Sequence, residues 1–557
     1  SDRLRLTLDR VALERVDPAR VPRRVRISLH GEGGIAPVPA QRVMTTAHLA
    51  PPSGPVEPGG FDFQRHAWFL RLGAVGYTRT PAVLAAQDRQ GAWIASARHA
   101  ISQRVQAALP GERGAFAAAI MTGDRSGISQ TTLQALRDSN LAHLLAISGL
   151  HMGLLAGFVF AAFRLGFAAV PVLGLRVPAK QLAAALALPV AAGYLALSGG
   201  NVATERAFVM IAVMLVAVIL NRRALSLRAV AVAAVIVLFL RPEALLSPGF
   251  QMSFAATTAL VAVFSMMRDL GWNRAPKWVQ PVLAVVISSA VAGAATAPVG
   301  AAHFNQMAHY GLPANLLSVP LMGIVVMPAA VLAGLLMPLG LEGGPLWVMG
   351  LGLGWVLNVA HHAAALPGAT GGIVAPGPEV LPLKALGGLL VVLWQGRLRW
   401  LGIAPVAVAA VLWTKADRPP ILIADNGALV GVMTDKGRVL SADRGAGFVA
   451  TVWLENDGRP TDQKSAALGW PGVVDLGQGV RLHVAKGKRA VLTANCAAGD
   501  WLVTNVPDPA ARSCEIYDPH RLRKSGSLAI WPGPDGPRIV TARESSGARL
   551  WNGGAAH

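Results

Sequence analysis

Between about residue 144 and residue 413 the chain runs through ten apolar stretches, most near the twenty residues that a helix needs to cross a hydrocarbon core. The expected spans are 144–165, 180–198, 205–220, 228–245, 249–267, 280–300, 313–339, 346–366, 380–395 and 400–413. Such a chain is a polytopic α-helical membrane protein with about ten transmembrane helices. Its composition, 53% hydrophobic and 14% charged over 557 residues, excludes an ordinary soluble protein. Glycines and prolines recur inside the runs, so broken helices are expected. The basic connectors GLRVPAK, NRRALSLR, RDLGWNRAPK and QGRLR all fall on one side of a ten-span bundle. The positive-inside rule makes that side cytoplasmic and turns both soluble ends outward.

The soluble ends read differently. Residues 3–9 (RLRLTLD) and 24–30 (RVRISLH) alternate polar and apolar as half-buried strands do, and 42–50 make a weaker third strand before PPSGPVEPGG breaks regular structure. A small β-domain over 1–60 is expected. Residues 61–142, with arginines at helical spacing among Trp and Phe, read as amphipathic helices on the membrane or the bundle. Residues 1–110 hold 15 arginines against 8 acidic residues, part of a net charge of +20, and suit a polyanion or an anionic membrane surface. Ser1 opens directly on strand-like sequence with no secretory leader, so the chain is expected to begin inside a longer protein. Residues 414–557 return to strand-like pieces such as ILIADN, RLHVAKG and DWLVTNV, a compact soluble domain, largely β. Both cysteines, Cys496 and Cys514, lie in it, and an outer oxidising compartment would let them pair; two free buried thiols are the alternative.

Polar groups interrupt the apolar runs. HLLAISGLHMG sets His143, Ser148 and His151 at the start of the first span, and on one ideal helix they share an arc of roughly 140°. Intramembrane polar groups face a bundle interior or a hydrated path rather than lipid. The plainer alternative is a serine bonding its own backbone and a histidine in the headgroup zone. Gln251 and Ser253 enter a later run, and Glu205 and Arg206 stand at a helix mouth, where an ion pair between them is the commoner structural outcome. His361 and His362, about 100° apart on a helix, are a poor metal pair and read as interfacial groups; His303 and His309 flank Asn305 and Gln306 near the outer surface.

Four of these segments, in this order, resemble the core of the ComEC/Rec2 family of DNA-uptake channels: His143–His151, Arg206–Met210, Gly249–Phe254 with Met252 in place of Leu, and Asn315–Pro320. The start of the chain, strands followed by LAPPSGPVEPGGFDF, looks like that family's OB-fold domain. The resemblance implies a bacterial inner-membrane channel that imports single-stranded transforming DNA, with His143, Ser148, His151, Arg206, Gln251, Ser253 and Asn315 along the strand's path. It also implies an N-terminal OB-like β-barrel binding the strand through Arg24, Arg26 and Arg42. The partners implied are single-stranded DNA, the bilayer, a periplasmic DNA receptor and a cytoplasmic motor or single-strand-binding protein. No GxxxxGK[ST] loop appears in the chain itself.

The C-terminus departs from the family pattern. Many members carry a metallo-β-lactamase-like domain with an HxHxDH cluster, whereas this chain has only the scattered His483, His520 and His557 after Trp413. A degenerate α/β domain without metal ligands is expected, with no cofactor and no hydrolytic role. Two rivals remain: an intramembrane hydrolase, which lacks an HExxH motif, and a small-solute transporter, which gives no reason for a basic OB-like domain.

Overall fold

The computed structural model describes residues 4–30, 37–87, 93–170, 172, 176–271, 276–510 and 512–553. His557 lies outside them. The alternating N-terminal sequence forms β1 (Arg5–Asp9) and β2 (Arg24–Leu29), antiparallel with Thr7 opposite Arg26. The next strands are β3 (Gln41–Met44) and β4 (His48–Ala50), then the short helix α1 (Phe63–Phe69). Just after α1, Arg71 takes φ 57° and the Gly73 N–H bonds the Arg24 carbonyl at 3.0 Å. That turn launches β5 (Ala74–Thr78) parallel to β2, so AVGYT, which sequence reads into an amphipathic helix, is a strand beyond Gly60.

The sheet order is β1-β2-β5-β4, and β6 (Val83–Gln87) pairs with β3 as a separate ribbon whose register shifts at Arg42/Val43. Among the described residues the expected OB-like barrel is therefore absent. The ladder never returns from β4 to β1, and the two strands that could extend it pair with each other.

Three helices follow: α2 (Trp93–Ala108), α3 (Glu112–Thr122) and α4 (Gln130–Asp138). Every residue of α3 from Gly114 to Ile120 is buried, because its GAFAAAI run has no polar face. It lies in the bundle core with Leu346, Met349 and Leu353 rather than at the membrane surface.

After the one-turn α5 (Ala142–Leu145) come the apolar helices α6 (Gly149–Ala169), α7 (Ala179–Leu197), α8 (Val202–Ile219), α9 (Leu227–Leu240), α10 (Pro248–Asp269) and α11 (Val279–Phe304). Then follow α12 (Gly311–Leu321), α13 (Met327–Leu336), α14 (Gly343–Ala365), α15 (Val380–Leu393) and α16 (Ile403–Thr414). Helices α12 and α13 run as one span through a π-turn at Met322–Val326, just past Pro320, which has no N–H to give the ladder. Among the described residues, eight spans are long and apolar enough to cross a bilayer; α9 and α15 are apolar but have 14 residues each. The protein is thus a multi-pass membrane protein. Strands β7 (Gln306–Ala308) and β8 (Thr370–Gly372) pair across one end of the bundle.

The C-terminal domain is layered. β9 (Ile421–Ile423), β10 (Val430–Thr434), β11 (Gly437–Leu440), β16 (Leu528–Trp531) and β17 (Arg538–Thr541) make an antiparallel sheet in the order β11-β10-β9-β16-β17. β12 (Val473–Asp475), β13 (Arg481–Ala485), β14 (Trp501–Thr504) and β15 (Glu515–Tyr517) make a mixed one. Alternate residues decide the layers. Ile421 and Ile423 face the second sheet's Leu482 and Val503, while Leu422 faces Trp453 of helix α17 (Gly447–Asn456). On the outer side of the second sheet, Leu502 packs with Val491 and the Cys496–Cys514 disulfide, whose Cα atoms are 5.7 Å apart.

The segment Pro55–Asp62, which sequence reads as a structure breaker, is a strap on this domain. Trp453 Nε1 donates to the Val56 carbonyl at 2.9 Å, Ser527 Oγ to Pro55 at 2.7 Å, and Trp551 Nε1 to Asp62 at 2.9 Å. Glu57, 4% exposed, takes both Arg418 Nη1 and Nη2, and Arg418 continues through Asp457 to Arg438. Burial disfavours the Arg418 charge, but Glu57 and Asp457 more than offset it and raise its pKa above that of an ordinary arginine. Both soluble parts consequently meet the same end of the bundle, where Arg65 reaches the Glu243 carbonyl and Ala375 N–H the Asn456 carbonyl.

Candidate functional site

The first motif does not form one helix. Ala146 and Ser148 are extended (ψ 134° and 179°), so α6 starts at Gly149 and the expected shared helical face of His143, Ser148 and His151 is broken. Burial of Ile147 pins this kink. His143, exposed, donates from Nδ1 to the Asn140 carbonyl at 3.0 Å. His151 is fully buried, and the Ser148 N–H and hydroxyl both approach its Nδ1, at 3.4 and 3.1 Å. A backbone N–H can only donate, so Nδ1 accepts and Nε2 carries the proton. That Nε2–H has no partner.

The other motifs repeat the pattern. In α8, Arg206 is 8% exposed and its Nε is unpartnered. Helix α12 places Asn315 with its Nδ2 on the Gly311 carbonyl at 2.8 Å, leaving its buried Oδ1 unpaired, and the buried Ser318 hydroxyl is unpaired too. Gln251 donates to the Leu245 carbonyl at 3.1 Å and accepts from His303 Nε2 at 2.9 Å. Ser253 is half-buried and offers its carbonyl to Thr257.

These groups share a depth. His151 is the third residue of α6, Arg206 the fifth of α8, and Asn315 and Ser318 the fifth and eighth of α12. All therefore fall within about 12 Å of their helix starts at 1.5 Å per residue. The starts lie together: Met152 packs on Ala207, Asn140 meets Gly311, and Arg206 covers Gly249 at the head of α10. Sequence reasoning missed Ser318 and undervalued His303. Ser318 lies one helical turn from Asn315, and that spacing is the signal that could have found it.

The three arginines expected to bind nucleic acid are divided. Arg24 is held bidentate by Asp9 (2.5 and 3.0 Å), and Arg42 is exposed on the separate β3–β6 ribbon. Arg26 lies half-buried beside Thr7, its pKa lowered by burial and by the like charges of Arg5 and Arg24. The same face carries aromatic rings that sequence did not single out. Tyr77 stands between His48 and His30, with centroids 5.0 and 5.4 Å away, and Arg79 lies 5.9 Å from its ring. Cross-strand register brings them together: Ser28 opposes Tyr77, which opposes His48.

In the C-terminal domain, His483 is tied to Asp500 at 3.2 Å and His520 is exposed at the start of α18 (Pro519–Ser525). Among the described residues, no three His, Cys, Asp or Glu side chains gather to hold a metal. His361 Nε2 meets Thr132 Oγ1 at 3.2 Å, which Glu112 also engages, and His362 caps the Asn358 carbonyl at 2.8 Å.

A family model described as "Competence protein" matches residues 120–398, an interval that holds all four motifs. ComE operon protein 3 of Bacillus subtilis is 26% identical over 347 residues, 62% of this chain and 42% of that protein. An uncharacterized protein, YcaI, of Escherichia coli is 26% identical over 305 residues, 53% of this chain and 38% of its own length. The chain thus spans about two fifths of the length of these relatives. No solved structure matches.

Proposed function

Because the chain belongs to the Competence protein family, we propose that it is an inner-membrane channel that imports single-stranded transforming DNA. One observation carries the reading: four of the five buried side-chain groups without a partner among the described residues, those on His151, Arg206, Asn315 and Ser318, lie at one depth of an apolar bundle. Each unmet group costs about 1–3 kcal/mol unless something polar serves it. A hydrated strand does so, and weak contacts from neutral side chains let it move on.

The soluble parts support the same reading. The open N-terminal sheet offers arginines beside a cluster of tilted rings, the surface chemistry that single strands use. Both soluble parts are then periplasmic, with Arg222, Arg223, Arg268 and Arg397 at the opposite, cytoplasmic end. A periplasmic receptor delivers the strand, and a cytoplasmic motor or single-strand-binding protein draws it in. The C-terminal α/β domain is a metallo-β-lactamase-like fold without its metals. His483, held by Asp500, supports a structural role for it.

Uptake of labelled DNA by cells carrying His151→Ala, Gln251→Ala or Asn315→Ala tests the path. The expected result is a loss of about tenfold or more at normal membrane levels, the equivalent of one lost polar contact. Uptake equal to the parent in all three variants would overturn the assignment.

A further inference from the structure

Glu205 and Arg206 adjoin in sequence, yet the structure separates their charges. Glu205 is taken by Arg241, with Nη2 donating to Oε1 at 2.9 Å and Nε 2.6 Å from Oε2. Arg206 is left without a carboxylate partner while nine-tenths buried. A buried, uncompensated guanidinium is too costly to keep for packing alone. Its position is specific: Nη2 lies 2.5 Å from where a Cβ on Gly249 would stand, so only glycine admits it flat against the first turn of α10.

That turn has one spare donor. Pro248 has no N–H, the Phe250 N–H is capped by Ser247 Oγ at 3.2 Å, and the Gln251 N–H bonds the Ser247 carbonyl at 3.2 Å. The Gly249 N–H remains, at the positive end of a 22-residue helix. A planar guanidinium fork and a helix-start N–H, with no acid between them, select a tetrahedral oxyanion.

We propose that Arg206 and the Gly249 N–H form a phosphate-binding subsite at the outer mouth of the bundle. The assignment of its occupant as a backbone phosphodiester of the imported strand rests on the channel reading above. A lipid headgroup phosphate shares the chemistry and is separated by the test. The subsite holds one phosphate at a time, at the depth of the neutral groups on His151, Asn315 and Ser318.

The test uses the full chain in nanodiscs of zwitterionic lipid, with inorganic phosphate as probe and thermal stabilisation as readout. Phosphate is expected to stabilise the parent, and Arg206→Gln to weaken that binding about tenfold or more. Gly249→Ala keeps the arginine but displaces it, and is expected to weaken binding similarly while the protein stays folded. If Arg206→Gln does not fold, Gly249→Ala decides. Phosphate binding at parental strength in a folded Arg206→Gln, or in Gly249→Ala, overturns the subsite. A short thymidine oligonucleotide is expected to compete with phosphate in the parent. If phosphatidylglycerol in the disc displaces phosphate and the oligonucleotide does not, the subsite stands and its strand occupant is overturned. DNA uptake of parental rate by an Arg206→Gln that no longer binds phosphate likewise leaves the subsite standing and removes the strand from it.

Discussion

At the scale of single residues, Glu57 matters to a domain that begins some 360 positions later. Its carboxylate is the partner of a buried Arg418, with side chains 5% and 12% exposed. Glu57→Gln leaves that guanidinium underpaired, and the expected cost is about 3 kcal/mol, typical of breaking a buried ion pair. Thermal unfolding of the purified protein checks it; a change below 1 kcal/mol, the order of a surface pair, would refute it. Asp500 carries a pH signature. Burial alone would raise its carboxyl, but hydrogen bonds from Arg481, the Ala497 N–H and His483 bring it below the usual aspartate value. A depressed folded-state pKa gives stability that is full above the unfolded value, about 3.9, and is lost as pH falls through the folded one. The acid limb of the unfolding midpoint against pH is expected to flatten in Asp500→Asn. His151 and Arg206 were legible in the sequence, since a polar group in an apolar run stands out. Glu57 and Tyr77 were not, because their meaning comes from partners that no local pattern names.

Elements were legible where length and period agree. Among the described residues eight of the ten apolar segments recur as helices long enough to cross a bilayer, because such a run has few alternative readings, and the other two recur as apolar helices of 14 residues. Boundaries moved where tertiary contacts won: α6 begins at Gly149 because the buried Ile147 and the extended Ser148 end the preceding turn. The β5 strand was hidden because its partner β2 is parallel and about 50 residues away. The β7–β8 pair sits where the bundle meets the C-terminal domain, and a Cβ on Gly372 would overlap the Gly458 carbonyl oxygen. Gly372→Ala is expected to loosen that seat and to speed proteolysis between Thr414 and Pro420, with the spans intact. Cleavage at the parental rate would show that the contact is dispensable.

For the molecule as a whole, both soluble parts sit at one end, which requires an even number of crossings between them. Cysteines introduced singly at Thr7 and at Lys436 are expected to react with an impermeant reagent from the same side, and one at Arg222 from the other. Opposite labelling of the first two would break the topology. The Cys496–Cys514 bridge closes a loop within the C-terminal domain. Its removal by Cys496→Ser is expected to cost the C-terminal domain about 3 kcal/mol, given the short loop it closes. Unfolding unchanged by the substitution, or by reductant, would contradict this.

The strap also sets an order in time. Glu57 precedes Arg418 by 361 residues, and the whole bundle is made between them. At ordinary synthesis rates the strap waits on the order of half a minute before its dock exists. During that interval Val56 and Glu57 have no seat, so the strap stays undocked until the last span has been made. The first segment of this lock to be made is the last to find its place.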